Sequence, residues 1–208
     1  MKTTSLRVSV PMCSFRRPYA REYLETERIP PPSTVYGFLL ALIGEEIRST
    51  YEGARLAIAI THSPLISRVL RTTWRIKSKD KQPGIGNNRK PDYQEVLTGL
   101  EIGIWIAEGD LASQVQKTMR LPNATTRYGG LSLGESRDLV DEVVLEPEWN
   151  NRSGHWLRPD EKGEHPLPVW VDHVGSSDTR WIQVKTVEDI LESPPESDPR
   201  WIEITSSG

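Results

Sequence analysis

The sequence predicts an α+β fold in which two helices pack on one face of an antiparallel sheet. Three observations predict it: stretches that alternate apolar and polar residues with period two, stretches whose apolar residues recur at helical spacing, and the order β, α, β, β, α, β in which they occur. At 208 residues the chain can bury one good core, so one domain with an insertion is expected rather than two full domains.

The first strand is read from Leu6, Val8, Val10 and Met12, which alternate with Ser5, Arg7, Ser9 and Pro11. The only cysteine, Cys13, has no partner for a disulfide and reads as a small buried hydrophobe in this strand. Arg16 to Arg28 mixes Arg16, Arg17, Arg21 and Arg28 with Glu22, Glu25 and Glu27, so an ordered surface loop is expected. Ile29 to Ile47 (IPPPSTVYGFLLALIGEEI) is the clearest helix. Its prolines fix an extended lead-in, Ser33 occupies the N-cap position, and Val35, Phe38, Leu39, Leu42, Ile43 and Ile47 form one apolar face, with the end near Arg48 to Gly53.

Ala54 to Ile60 reads as a second strand, and Leu65 to Lys77 as a third or as its continuation past a bend at Ser63-Pro64. Ser78 to Asp92 (SKDKQPGIGNNRKPD) is nearly free of apolar residues and cannot offset the entropy of its own ordering. Tyr93 to Ile106 resumes the strand alternation, so a long basic hairpin with a mobile tip is expected. Asp110 is placed to cap a short helix through Met119, Pro122 ends it, and Leu139 to Leu145 is a further strand. This order is the split, ferredoxin-like arrangement, which leaves the sheet face opposite the helices free. After Pro147 the pattern weakens. Val169 to Val174, Trp181 to Val184 and Trp201 to Ile204 read as short strands and Val187 to Leu191 as a helical turn. The expected division is a palm over 1–146, with the hairpin at about 68–93, and a β-rich acidic extension over 147–208 in the same compact unit.

The formal charge of −3 hides an asymmetry. Up to Arg137 there are 20 Lys/Arg against 13 Asp/Glu, and from Asp138 onward 6 against 16. A basic N-terminal part suits a polyanion; the acidic remainder suits solvent or another protein. No apolar run approaches the roughly 20 residues that a bilayer requires and no signal peptide is visible, so a cytoplasmic protein without membrane contact is expected.

The strongest constellation is Arg68 to Asp92, with eight basic residues against two acidic ones: Arg68, Arg71, Arg75, Lys77, Lys79, Lys81, Arg89 and Lys90. Trp74 and Tyr93 are interleaved with them. Each phosphate contact by such a side chain releases counterions, and aromatic rings among cations suit unpaired bases better than duplex. Asn88 lies in the same stretch. A second constellation is the loop Arg127, Tyr128, Gly129, Gly130 through Arg137, where glycines permit close approach to phosphate and two arginines flank them; it is neither a Walker loop nor a dinucleotide fingerprint. The start of the first helix, at Ser33 and Thr34, is a further potential phosphate site.

Catalytic signals are poor. His62, His155, His165 and His173 fall in loops or at strand ends, and no zinc spacing, nucleophile elbow or two-metal carboxylate pattern is present. His62 or Tyr36 with Lys77 is the one set that could serve metal-free RNA cleavage. No catalytic residue, metal site or cofactor is expected.

Three motifs, Ser14-Phe15-Arg16-Arg17-Pro18, Ile29-Pro30-Pro31-Pro32-Ser33-Thr34-Val35-Tyr36-Gly37 and Gly134-Glu135-Ser136-Arg137, carry a resemblance to a known family. With them the chain resembles the fifth CRISPR-associated (Cas) protein family of the RAMP superfamily, most closely its DevS-like branch, over about its first two thirds. The resemblance implies a ferredoxin-like (RRM-like) palm with a β-hairpin thumb over Arg68 to Tyr93. It implies a subunit of a type I Cascade complex that binds the crRNA 5′ handle and contacts the backbone subunit, the large subunit and target DNA near the protospacer-adjacent motif. One branch of the family cleaves precursor guide RNA, but the thumb region here offers lysines without histidine, so the non-cleaving kind is expected. The expected RNA-binding residues are Ser14, Arg16, Arg17, Tyr19, Ser33, Thr34, Tyr36, Arg71, Trp74, Arg75, Lys77, Lys79, Lys81, Asn88, Arg89, Lys90, Arg127, Tyr128, Gly129, Gly130 and Arg137.

Overall fold

A computed structural model describes residues 3–20, 23–127, 129–172 and 178–206. The strands are β1 (Thr4–Cys13), β2 (Phe15–Arg16), β3 (Tyr23–Leu24), β4 (Thr26–Glu27), β5 (Arg55–His62), β6 (Leu65–Trp74), β7 (Arg89–Ile106), β8 (Glu142–Leu145), β9 (Ser153–Pro159), β10 (His165–Trp170), β11 (Arg180–Ile190) and β12 (Ile202–Glu203). The helices are α1 (Pro32–Ile43) and α2 (Asp110–Arg120). Ten strands form one sheet along the path β10-β11-β9-β5-β7-β1-β8, with β12 on β5 and both β3 and β6 on β7; β2 and β4 pair separately. Every pairing is antiparallel except β3 with β7. The chain is therefore α+β, mostly antiparallel, with two α-helices among the described residues.

In β1 the predicted alternation buries Leu6, Val8 and Val10 but fails at Met12, which is exposed while Cys13 is buried. Its proline neighbour, Pro11, marks the break. Helix α1 begins one residue before the predicted cap: Pro31 is the N-cap, Pro32 the first helical residue, and no side chain caps the start. Proline suits that position because its missing N–H would be unpaired there anyway. Ser33 thus lies inside the first turn. The helix stops at Gly44, well before Arg48, because Gly44 adopts φ +74° and lets its own N–H reach Ala41 and that of Glu45 reach Leu40. Asp110 likewise opens the first turn of α2, and Gly109 is its N-cap.

Val35, Phe38, Leu39 and Leu42 of α1 share one core with Leu6 and Val8 of β1, Ile58 of β5, Ile102 and Ile104 of β7, and Leu111 and Val115 of α2. Leu157, Leu167, Val169 and Val184 belong to that same core. Strands β9 and β12 both pair with β5, and β10 meets α1 where Tyr36 and Trp170 lie with ring centroids 6.3 Å apart. The C-terminal strands are thus continuous with the sheet. Val187 to Leu191, expected as a helical turn, is instead strand through Ile190, the end of β11, laddered against β9 from Val187–Trp156 to Ile190–Ser153. A neighbouring strand offered a full set of backbone partners, which outweighs a weak local preference.

The opposite face of the sheet was expected to be free, and over β5 and β7 it is not. Ala57, Ala59, Trp105, Ala107, Trp156, Leu191 and Trp201 form a second buried cluster there, with Trp149 packed on it. Trp105 lies with its ring centroid 4.3 Å from that of Trp156 and 5.0 Å from that of Trp149. Alanines on β5, and Gly103 beneath the Trp105 ring, leave room for these indoles. Beside the cluster, Arg7 bridges Glu101 and Glu142 at 2.9 and 3.0 Å. A face so covered has little aromatic surface left for stacking bases.

Candidate nucleic-acid interface

Strand β7 is 18 residues long, and only its second half lies between β5 and β1. Its first half pairs with β6 in an antiparallel hairpin, in register from Leu65–Thr98 to Trp74–Arg89. Cross-strand partners share a face, so Leu70 with Tyr93, Thr72 with Pro91 and Trp74 with Arg89 line one side. This side is open to solvent: Leu70 is 62%, Tyr93 57% and Trp74 70% exposed. The opposite face of β7 buries Asp92, Gln94 and Val96.

The hairpin tip, expected to lack the means of ordering itself, is organised around Asn88. That side chain is fully buried. Its Oδ1 accepts from the N–H groups of Lys77 and Ser78 at 2.9 and 2.8 Å, and its Nδ2 donates to the carbonyls of Ser78, Lys81 and Gln82. Asn88 therefore shapes the tip from inside, which corrects its assignment as an RNA contact. Asn88→Ala removes all of these bonds, and among the described residues only the Gln82 carbonyl keeps a second donor, the Ile85 N–H at 3.3 Å. Each group left unpaired costs about 1–3 kcal/mol when buried. We expect accelerated amide hydrogen exchange confined to 75–88 with the sheet unaffected; protection of the tip unchanged from wild type would contradict this role.

The tip carries the free charge. Lys77, Lys79, Lys81 and Arg89 are exposed and have no ion pair among the described residues. Arg75 donates through Nε to the Asn87 carbonyl at 3.2 Å, and Lys90 pairs with Asp92 at 2.8 Å. Nearer the body, Arg68 stands 5.7 Å from the centroid of the Tyr23 ring.

At the root of the hairpin the Ser14 motif and the glycine loop meet. Asp138, 2% exposed, accepts from the N–H groups of Ser14 and Glu135, each at 2.8 Å. Burial raises its pKa from the ordinary aspartate value, while those two N–H groups work in the opposite direction. Gly134 sits at φ +119°, where a Cβ would fall 2.7 Å from Asp138 Oδ2 and 2.8 Å from the Ser14 carbonyl, so only glycine fits. Ser14 itself is 2% exposed and its hydroxyl accepts from Gln94 at 2.9 Å, so it holds the fold and does not face a ligand. Arg71 and Arg137 both reach Gln94 and Glu135 here.

Residues 4–128 match the family model described as "CRISPR-associated protein (Cas_Cas5)". A curated relative, "CRISPR-associated protein Cas5" of Myxococcus xanthus (strain DK1622), is 38% identical over 198 residues, covering 91% of this chain and 92% of the relative. The chain belongs to the Cas5 family. Two solved structures resemble this Cas5 chain in fold. One, from a structure described as "CRISPR RNA-guided surveillance complex", has a TM-score of 0.65 at 13% identity and covers 96% of both chains. The other, "Crystal structure of Cas protein", has a TM-score of 0.52 at 14% identity and covers 93% of this chain and 100% of its own.

Within this Cas5 fold several expected contacts move to other roles. Ser33 is 3% exposed and the preceding Pro30, Pro31 and Pro32 are buried, while the N–H groups of Thr34 and Val35 already donate to the Pro31 carbonyl. The helix start is thus interior and not an open phosphate cradle. Tyr36 is fully buried and donates its hydroxyl to the Arg48 carbonyl at 2.6 Å. Burial raises its pKa, and it cannot reach a ribose. Arg16 is exposed and donates to the Ala20 carbonyl, Arg17 pairs with Glu27 at 3.0 Å, and Tyr19 is 91% exposed. Arg17 and Tyr19 line a cavity of about 470 Å³ shared with Glu25, Glu164, His165 and Trp181.

The two arginines flanking the glycine loop do not converge. Arg127 lines a groove with Leu42, Thr118 and Met119 on the helix side, whereas Arg137 joins Gln94 at the hairpin root. Gly129 and Gly130 are exposed; Tyr128 and His173 lie outside the described residues. His62 is exposed at the end of β5. The Cys13 thiol is pushed up to about 12, mainly by burial and further by Asp138, so it stays protonated at neutral pH. No metal-binding group of three or more His, Cys, Asp or Glu side chains occurs among the described residues. None of the α-helices there is long and apolar enough to cross a membrane.

The residues that sequence reading missed are Gln94, Glu135 and Asp138. A signal for Gln94 existed: counting by twos from Val96 puts a polar residue on the buried face of β7.

Proposed function

We propose that this Cas5 protein is a non-cleaving, guide-RNA-binding subunit of a Cascade-type surveillance complex and that it holds the crRNA 5′ handle. The observation that carries the reading is the β6–β7 hairpin, where exposed Lys77, Lys79, Lys81 and Arg89 at and beside the tip accompany exposed Trp74 and Tyr93 on one side of the stem. Cations of this kind engage backbone phosphates, and the rings stack on unpaired bases. The hairpin is then the thumb. The strand order β8-β1-β7-β5, with α1 following β1 and α2 following β7, supports a ferredoxin-like palm beneath it. Arg16 and Tyr19 extend the RNA surface beyond the hairpin, and Arg71 and Arg137 support it from the root. The backbone subunit, the large subunit and target DNA near the protospacer-adjacent motif are the further partners of this reading, with the acidic C-terminal part turned away from RNA.

Filter binding of repeat-derived handle RNA across a salt series tests the reading. Affinity is expected to fall linearly in log–log coordinates, with a slope of roughly −0.7 per phosphate contacted. A flat response would remove RNA from the account. Repeat RNA incubated with the protein in chelator should stay intact, because buried Tyr36 offers no base and Lys77 has no ion pair among the described residues. Cleavage that disappears in His62→Ala would instead make the protein a metal-independent endoribonuclease.

A further inference from the structure

We propose that Gln94 is a positioning residue that sets the angle of the β6–β7 hairpin against the body of the protein. This rests, for its consequence in RNA binding, on the reading of the hairpin as the RNA surface; the geometry itself does not. Gln94 is 1% exposed and sits on β7 opposite Val69, where the hairpin leaves the sheet. Its carboxamide is saturated. Oε1 accepts from Arg71 Nη1 and from Arg137 Nη2, the latter at 2.8 Å, and Nε2 donates to Ser14 Oγ at 2.9 Å and Glu135 Oε1 at 3.0 Å.

Those four partners come from three separate segments: the stretch after β1, the outgoing strand β6, and the glycine loop before β8. Glu135 closes the circuit by accepting from Arg71 at 3.4 Å and Arg137 at 3.0 Å, and Asp138 ties the loop back to Ser14. On its other edge the hairpin is held by the short parallel pairing with β3. A neutral amide is what this position requires, because it offers two donors and two acceptors at once. Glutamate would keep the arginines, lose both donors, and set a third carboxylate beside Glu135 and Asp138. Leucine would take one hydrogen bond each from Ser14, Arg71, Glu135 and Arg137, leaving the arginines their carboxylate pairs and the Ser14 hydroxyl only its 3.5 Å contact with Asp138.

A hairpin held at one angle in the free protein has less to order when a ligand arrives, so the joint should show in affinity as well as in geometry. Spin labels at Gln82→Cys on the tip and Ser113→Cys on α2 read the angle directly by electron–electron distance measurement, since buried Cys13 stays unlabelled. We expect one narrow distance population with Gln94 present and a broadened or shifted one in Gln94→Leu. If Gln94→Leu does not fold, Gln94→Glu serves. It should broaden the distances at neutral pH and narrow them on acidification, when protonation restores one donor toward Glu135 or Ser14, with Arg71, Arg137, Glu135 and Asp138 as the charged groups facing it. A purely space-filling role would give no such pH profile. Distances unchanged in both variants overturn the proposal.

Handle-RNA affinity in Gln94→Leu should fall about tenfold with its salt slope preserved, since the phosphate contacts are the same once made. Broadened distances with unchanged RNA affinity would uphold the positioning role of Gln94 and count against the hairpin as the RNA surface.

Discussion

Trp156→Ala is expected to destabilise the protein by about 3–5 kcal/mol, read as a lowered urea midpoint with an unchanged slope. Trp156 is fully buried on the sheet face that the helices do not cover. Its ring lies against Trp105, the Arg200 guanidinium stands 4.5 Å from its centroid, and its Nε1 donates to the Ile190 carbonyl at 3.2 Å. Alanine would empty the space between β5, β9 and the C-terminal segment and leave that carbonyl without its partner. Arg200 is itself fixed by Asp198 at 2.7 Å, so it cannot swing in to fill the gap. Against a total stability of about 5–15 kcal/mol the loss is a large fraction. A cost below about 1 kcal/mol would mean that the C-terminal strands do not share the stability of the sheet.

The combined change Lys77→Ala, Lys79→Ala, Lys81→Ala and Arg89→Ala is expected to weaken handle-RNA binding on the order of a hundredfold or more at low salt and to reduce the salt slope by about 3. Stability should move by no more than about 0.5 kcal/mol per site, because these side chains are exposed and make no ion pair among the described residues. The change in slope distinguishes this surface from a surface that merely stacks bases. Trp74→Ala, by comparison, should lower affinity by about 1–3 kcal/mol with the slope retained. Equal slopes for wild type and the fourfold variant would place the phosphate contacts elsewhere.

Much of the fold was legible because local signals and tertiary demands agreed. The alternation in Leu6 to Val10, the apolar face of Val35 to Leu42 and the β-branched strands flanking a polar turn each name their element without outside help. Less was legible where the partner is distant. The strand Ser153–Pro159 mixes glycine, histidine and arginine with Trp156, and it exists because β5 and β11 flank it. The covered outer face depends on Ala57 and Ala59 being small under indoles that lie tens of residues away in sequence, and on Gly103 leaving room for both its near neighbour Trp105 and the distant Trp149.

The candidate site divides in the same way. Exposed cations in the hairpin could be read as binding residues from composition, and the structure leaves them exposed. Ser14, Ser33, Tyr36 and Asn88 could not be separated from them by type, since a polar side chain that completes a buried backbone is chemically the same as one that waits for a ligand. Only burial tells the two apart. Gln94 shows the converse: an ordinary glutamine in an ordinary strand gains its role from Ser14, Arg71, Glu135 and Arg137, which only folding brings together.

Whether the β6–β7 hairpin holds guide RNA is read out by photo-crosslinking handle RNA to the protein and mapping the joined peptides by mass spectrometry. Crosslinks are expected to concentrate between Leu70 and Tyr93, with Trp74 and Tyr93 prominent, and to be lost in the fourfold tip variant. Crosslinks confined to the acidic strands after Glu146, with none in the hairpin, would contradict RNA binding by the hairpin.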